Sequence, residues 1–124
     1  MRKLVDHILE DLSTREAFLF RTRCGSCGGI RSSNPLRFSK AGAPPATPEK
    51  QLLFDTIYEQ EYRSARSRAV RSIAEHFNYC PICKQIVCDR CFVICEDLDM
   101  CTSCAGKMQE TGVPVVSEMV ECTE

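Results

Sequence analysis

No apolar run in this 124-residue chain is long enough to cross a bilayer, and MRKLVDHILEDL at its start does not read as an export leader. Membrane residence and secretion are therefore not expected, and the chain is placed in a reducing cytoplasm where thiols bind metal instead of forming disulfides. Three catalytic signatures are also missing: the glycine-rich phosphate loop, the H-E-x-x-H helix and the nucleophile elbow. Without them the expectation is a protein that is not an enzyme. Charge of one sign is scarce in places. Between Ala17 and Pro48 the only charged residues are Arg21, Arg23, Arg31, Arg37 and Lys40, whereas from Glu96 onward six further acidic residues face Lys107 alone.

What the chain has in quantity is cysteine, ten in all. Eight form four C-x-x-C pairs, Cys24/Cys27, Cys80/Cys83, Cys88/Cys91 and Cys101/Cys104. One such turn presents two thiolates from a tight loop, and two turns complete the four soft ligands of a tetrahedral zinc site. Two zinc ions are therefore expected. Spacing discriminates among the ways of joining the pairs. Between Cys83 and Cys88 lie only residues 84–87, too short a hairpin for both pairs to face one ion comfortably. Between Cys83 and Cys101 lie residues 84–100, a span suited to a zinc module with strands and a helix between its ligand pairs. Site two is then Cys80, Cys83, Cys101 and Cys104. Site one takes Cys24, Cys27, Cys88 and Cys91, and the two sites interlock as a cross-brace.

Around this framework a small α+β zinc-binding domain over 1–124 is expected. An amphipathic N-terminal helix is read within 1–16, with Leu4, Val5, Ile8, Leu9 and Leu12 on one face. A strand over 17–23 leads into RCGSCGG, whose glycines let backbone N–H groups turn toward sulfur. A strand or hairpin arm broken at Asn34-Pro35 completes a segment 17–40, and the proline-rich loop 41–48 follows. A long helix over 49–77 is capped by Thr47-Pro48 and carries Phe54, Tyr58, Tyr62, Ala65, Ala69, Ile73 and Phe77 at steps of three or four. Residues 80–110 form the zinc head and 111–124 an acidic tail. Cys95 and His76 are candidate substitute ligands, with burial the commoner fate of each, and Cys122 is a spare thiol in the tail.

The run CPICKQIVCDRC resembles the middle of a FYVE-type finger, and MCTSCAGKMQE is similar to that family's last cysteine pair on the first turn of a helix. The resemblance covers Cys24 to Gly29 and Cys80 to about Glu110, and it implies a treble-clef fold with the interlocked wiring that RING domains share. The chain also departs from those families. Where FYVE fingers carry their basic patch for phosphatidylinositol 3-phosphate, this chain reads EHFNYCPI, and it has no tryptophan. Nor does it contain the histidine ligand usual in RING domains. The resemblance therefore implies architecture, not lipid reading or ubiquitin ligation.

The principal functional expectation is a cytosolic interaction or adaptor module with two structural zinc ions. Its partner would be another protein or a second copy of the chain, paired along a helix stripe at Phe54, Tyr58 and Tyr62 that the short N-terminal helix could not cover. The alternative is nucleic-acid binding through Arg21, Arg23, Arg31, Arg37 and Lys40. A third reading is a zinc-thiol redox switch. Arg63, Arg66, Arg68 and Arg71 on the long helix scatter around the wheel and are read as a solvated face.

Overall fold

The structure is a computed structural model that describes residues 1–115. The tail residues 116–124, with Cys122 and the acidic residues Glu118, Glu121 and Glu124, lie outside the described residues. Helix α1 (Arg2–Ile8) is followed by strands β1 (Glu10–Asp11), β2 (Ala17–Phe18), β3 (Phe20–Arg23), β4 (Ile30–Ser32) and β5 (Leu36–Arg37). Helix α2 (Pro48–Ala74) leads to β6 (Phe77–Tyr79), β7 (Ile86–Cys88), a 3-10 turn (Asp89–Cys91), β8 (Phe92–Cys95), β9 (Met100–Cys101), α3 (Thr102–Met108) and β10 (Gly112–Pro114). The class is thus α+β, with three helices and short antiparallel strands.

Three elements depart from the expected boundaries: the strand expected over 17–23 is split at Leu19 into β2 and β3, which join different sheets, and both of the first two helices are shorter. Helix α1 stops at Ile8, because Glu10 and Asp11 pair with Arg21 and Phe20 of β3 and so extend the β3–β4 hairpin into a three-stranded sheet. Of its apolar stripe only Val5 is fully buried, while Leu4, Ile8 and Leu12 stay exposed. Helix α2 begins as the Thr-Pro pair implies, with Thr47 Oγ1 accepting from the Lys50 N–H at 3.1 Å and Pro48 in the first turn. It ends at Ala74, and Phe77 opens β6, where it pairs with Cys88. At 27 residues the helix is roughly 40 Å long.

The cover of α2 comes from its own chain. Phe18, Phe20 and Phe38 are almost fully buried and pack against Phe54, Tyr58 and Tyr62. Phe38 meets Phe54 edge-on at 5.3 Å and Tyr58 at 5.0 Å, and Phe18 lies 5.1 Å from Tyr58. The hydroxyls of the tyrosines are anchored as well: Tyr58 donates to the Thr14 carbonyl at 2.9 Å and Tyr62 to Asp11 Oδ2 at 2.6 Å. The stripe expected to stand open is therefore half-buried, since the strands after α1 lie over it. The exposed large apolar residues of α2 lie outside that stripe and nearer its N-terminus, Leu52 and Leu53, which are 72% and 51% exposed.

The far end of α2 enters a second core. Val70 and Ile73 pack with Phe77, Val87, Phe92, Val93, Met100 and the cysteines of the head. Strand β10, formed by residues read as tail, adds to β8 with Val113 opposite Ile94, so the head carries the sheet order β10-β8-β9. No helix among the described residues is long and apolar enough to cross a membrane.

Candidate metal centre

The eight cysteines of the four C-x-x-C pairs stand on two hairpins of the same design and on the two helical starts that face them. In the first hairpin, β3 runs into Cys24 and β4 leaves after Gly29, with the Cys24 N–H bonded to the Gly29 carbonyl at 2.8 Å and the Gly28 N–H to the Cys24 carbonyl at 3.0 Å. In the second, β6 runs into Cys80 and β7 leaves after Gln85, with the Cys80 N–H on the Gln85 carbonyl at 2.9 Å and the Lys84 N–H on the Cys80 carbonyl at 2.7 Å. Both turns need a left-handed residue after their second cysteine. Gly28 meets this at φ 75° without cost, whereas Lys84 adopts φ 62° with a full side chain. That second turn carries no glycine, so its geometry was not visible in the sequence.

The other half of each ligand set sits on a helical start. Cys88 ends β7 and Cys91 closes the 3-10 turn. Cys101 ends β9 and caps α3, its Sγ accepting from the Cys104 N–H at 3.4 Å. The fold brings together Cys24, Cys27, Cys88 and Cys91, and separately Cys80, Cys83, Cys101 and Cys104, with the sulfurs of each group all within 4.8 Å of one another. A zinc-sulfur bond of about 2.3 Å implies a tetrahedral edge of about 3.8 Å. The observed separations match it: 4.0 Å for Cys27–Cys88, 3.7 Å for Cys88–Cys91 and 3.8 Å for Cys83–Cys101. Each group could hold a metal ion, and the two interlock along the chain in the manner of a cross-brace.

The backbone is arranged for thiolate sulfur. Cys24 Sγ accepts from the N–H groups of Ser26, Cys27 and Cys88 at 3.3 to 3.4 Å, and Cys27 Sγ from Gly29 at 3.4 Å. Burial pushes the Cys24 thiol up, but the N–H bonds outweigh it and leave its pKa lowered. At Cys80 burial is likewise overcome by the N–H groups of Cys83, Cys101 and Ile82, and the thiol falls to about 6. The last thiols to ionise go the other way. Burial, then Cys27 and Cys24, hold Cys91 up at about 12, and contact with Cys101 followed by burial does the same for Cys104. Four sulfurs this close cannot all carry charge on their own, and a divalent cation at the centre removes that conflict while releasing the remaining protons. The donor set therefore fits zinc. The groups differ in exposure: Cys83 is exposed, whereas Cys27 of the first group is only half-exposed and the other six are buried.

The remaining candidates fall outside both clusters. Cys95 is buried in β8, its N–H bonded to Asp99 Oδ1 at 3.1 Å, and burial with nearby Glu110 and Asp99 raises its pKa. His76 is not among the grouped ligands. Its Nδ1 lies 3.9 Å from Asp89 Oδ2, and Asp89, buried between Cys88 and Cys91, accepts from Asn78 Nδ2 at 2.8 Å. Arg21 and Arg23 share one carboxylate, their Nε atoms 2.6 and 3.0 Å from Glu10. Arg31 pairs with Thr22 across the sheet and so faces the side opposite Arg21 and Arg23. Arg37 is on β5 and Lys40 is in the loop after it, so the five cations do not line one strand face.

Comparison of the chain with protein-family models, curated proteins and solved structures gives no match. The class defined by the fold and the site is a small α+β domain with two interlocked four-cysteine centres able to hold metal.

Proposed function

We propose that the chain is a non-enzymatic interaction module whose head is a cross-braced, treble-clef zinc finger of the FYVE and RING type, held by two structural zinc ions. The observation that carries this reading is that each group gathers four cysteine sulfurs within 4.8 Å of one another, the number that fills the coordination of a structural tetrahedral zinc ion. Such an ion shapes a surface and does not activate a nucleophile. The partner is a protein or a second copy of the chain, and the uncovered Leu52 and Leu53 at the start of α2 are the exposed apolar residues available to it there. Eight thiolates of this kind are kept in a reducing compartment such as the cytoplasm.

Metal analysis should give two zinc ions per chain, and the cobalt-substituted protein should show a four-thiolate tetrahedral spectrum that added azide leaves unchanged. An azide-dependent spectrum would reveal an open coordination position and turn the reading toward catalysis. Nucleic-acid binding has less support, because Glu10 neutralises part of the Arg21 and Arg23 charge. The thiol switch has one observation in its favour, the exposure of Cys83 in site two. Peroxide that releases one zinc, with recovery on adding reductant and metal, would support it.

A further inference from the structure

The arginines of α2 are only partly scattered once α1 is in place. Arg63 and Arg66 are three residues apart and share a helix face, and α1 packs across that face with Arg2 and Lys3. Between the two helices lies an open cleft of about 370 Å³, lined by Arg2, Lys3, Asp6, Arg63, Arg66 and Ser67, with Val70 also in its wall. Four cations line it against one carboxylate. Arg66 is fixed there: Nε donates to Asp6 Oδ1 at 2.8 Å, Nη2 to the Asp6 carbonyl at 3.1 Å and Nη1 to the Tyr62 hydroxyl at 3.2 Å. Arg63 is braced by Glu59 one turn earlier. Arg2 and Lys3 have no acidic partner within ion-pair distance among the described residues.

We propose that this cleft between α1 and α2 binds a phosphate-bearing ligand, held by Arg2, Lys3, Arg63, Arg66 and the Ser67 hydroxyl. Guanidinium groups match a phosphate oxyanion with directed, charge-assisted hydrogen bonds, and the hydroxyl adds a donor. The residual positive charge exceeds what a monovalent carboxylate would balance, and a dianionic phosphate suits it better. The volume lies in the range of small-ligand sites and exceeds one phosphate group, leaving room for the rest of an ester beside Val70. This site is independent of the metals, since neither four-cysteine group contributes to its lining.

The test uses the full zinc-loaded chain at about 50 mM salt, where exposed charges are weakly screened. It is titrated with inorganic pyrophosphate, with a phosphoserine tripeptide and with the same tripeptide unphosphorylated, following the Nε resonances of Arg63 and Arg66. Saturable binding of pyrophosphate or the phosphopeptide, absent for the plain peptide, is expected. Whichever phosphate probe binds more tightly identifies the source as a small molecule or as a modified side chain. The double variant Arg2→Ala with Lys3→Ala should weaken binding about tenfold or more, as loss of charge-assisted contacts implies. Arg68→Gln, on another face of α2, should leave it unchanged, and zinc content should be two in every variant. No saturable binding of either phosphate probe overturns the proposal. So does equal weakening by Arg68→Gln, which would show general attraction to a cationic surface.

Discussion

One helix serves two cores that are built on different chemistry. From Phe54 to Ala69, α2 packs against rings, with Phe18, Phe20 and Phe38 on one side and its own Phe54, Tyr58 and Tyr62 on the other. From Val70 onward it enters the head, where seven of seventeen buried residues are cysteines and only two are phenylalanines. The aromatic half gains from removing large apolar surfaces from water and from edge-to-face ring contacts, and these are complete without any added component. The cysteine half buries polarizable sulfur, most of it in two groups that could each hold a metal ion, and on the proposed reading that cation shares the charge of the thiolates. A small fold can thus draw on two sources of stability that respond to different insults.

Chelation should separate the halves most strongly. The binding free energy of a structural zinc site is about 10–16 kcal/mol at neutral pH, and it is folding free energy for the segment it holds. On removal of both metals, hydrogen-exchange protection should vanish across β6 to α3 and persist in part where the rings pack on α2. A head that keeps its protection without metal would end the comparison. Single ligand changes sharpen it. Cys80→Ser and Cys101→Ser should each remove the same one zinc, Cys24→Ser and Cys88→Ser the other, as read by metal analysis after gel filtration. Loss of both ions from each variant would mean that the two centres fold as one unit.

Phe38→Ala attacks the other half. Phe38 is completely buried, and truncating such a ring costs about 3–5 kcal/mol. Its denaturation midpoint should fall while the zinc count stays at two, and loss of metal would show that the aromatic half props up the head. Tyr62→Phe is milder, about 1 kcal/mol for the hydrogen bond to Asp11. The pH dependence follows from the same contact. Burial tends to raise the Asp11 pKa, but the bonds from Tyr62 and Ser13 lower it below its ordinary value of 3.8. Its contribution is therefore complete above that value and is lost as pH falls through the lower folded-state pKa. In Tyr62→Phe the stability loss on acidification below about pH 4 should be smaller than in the parent chain. An unchanged acid limb would remove Asp11 from that account.

The grouping of the thiols was legible because each C-x-x-C turn is local and the 84–87 gap limits how its neighbours can join. The capped start of α2 was legible for the same reason, since Thr47 and Pro48 act within one turn. What escaped depends on partners distant in the chain. Phe18 and Phe20 alternate as a strand should, but nothing local says that Phe18 and Phe38 will lie over Tyr58 and Phe20 against Tyr62. The two-residue strand β1 exists only because β3 is beside it, and Lys84 takes a glycine's conformation because the hairpin around it demands it. The two four-cysteine groups are consistent with the interlocked wiring that the FYVE and RING resemblance implies. That resemblance carried no information about the long helix between Cys27 and Cys80, or about the rings from both sides of Cys24 that pack on it.

That insertion has a consequence for the order of assembly. Cys83 and Cys101 meet across 18 residues of chain, whereas Cys27 and Cys88 meet across 61. Closing the longer loop in an unfolded chain costs about 1 kcal/mol more, before any packing of α2 shortens the effective distance. A chain emerging from synthesis has all of site two within one late segment, but site one must join an early turn to a late one. If each group takes a metal ion, site two is expected to close first, and closure of site one then marks the moment at which the two ends of the inserted segment, Cys27 and Cys80, have been brought into one head.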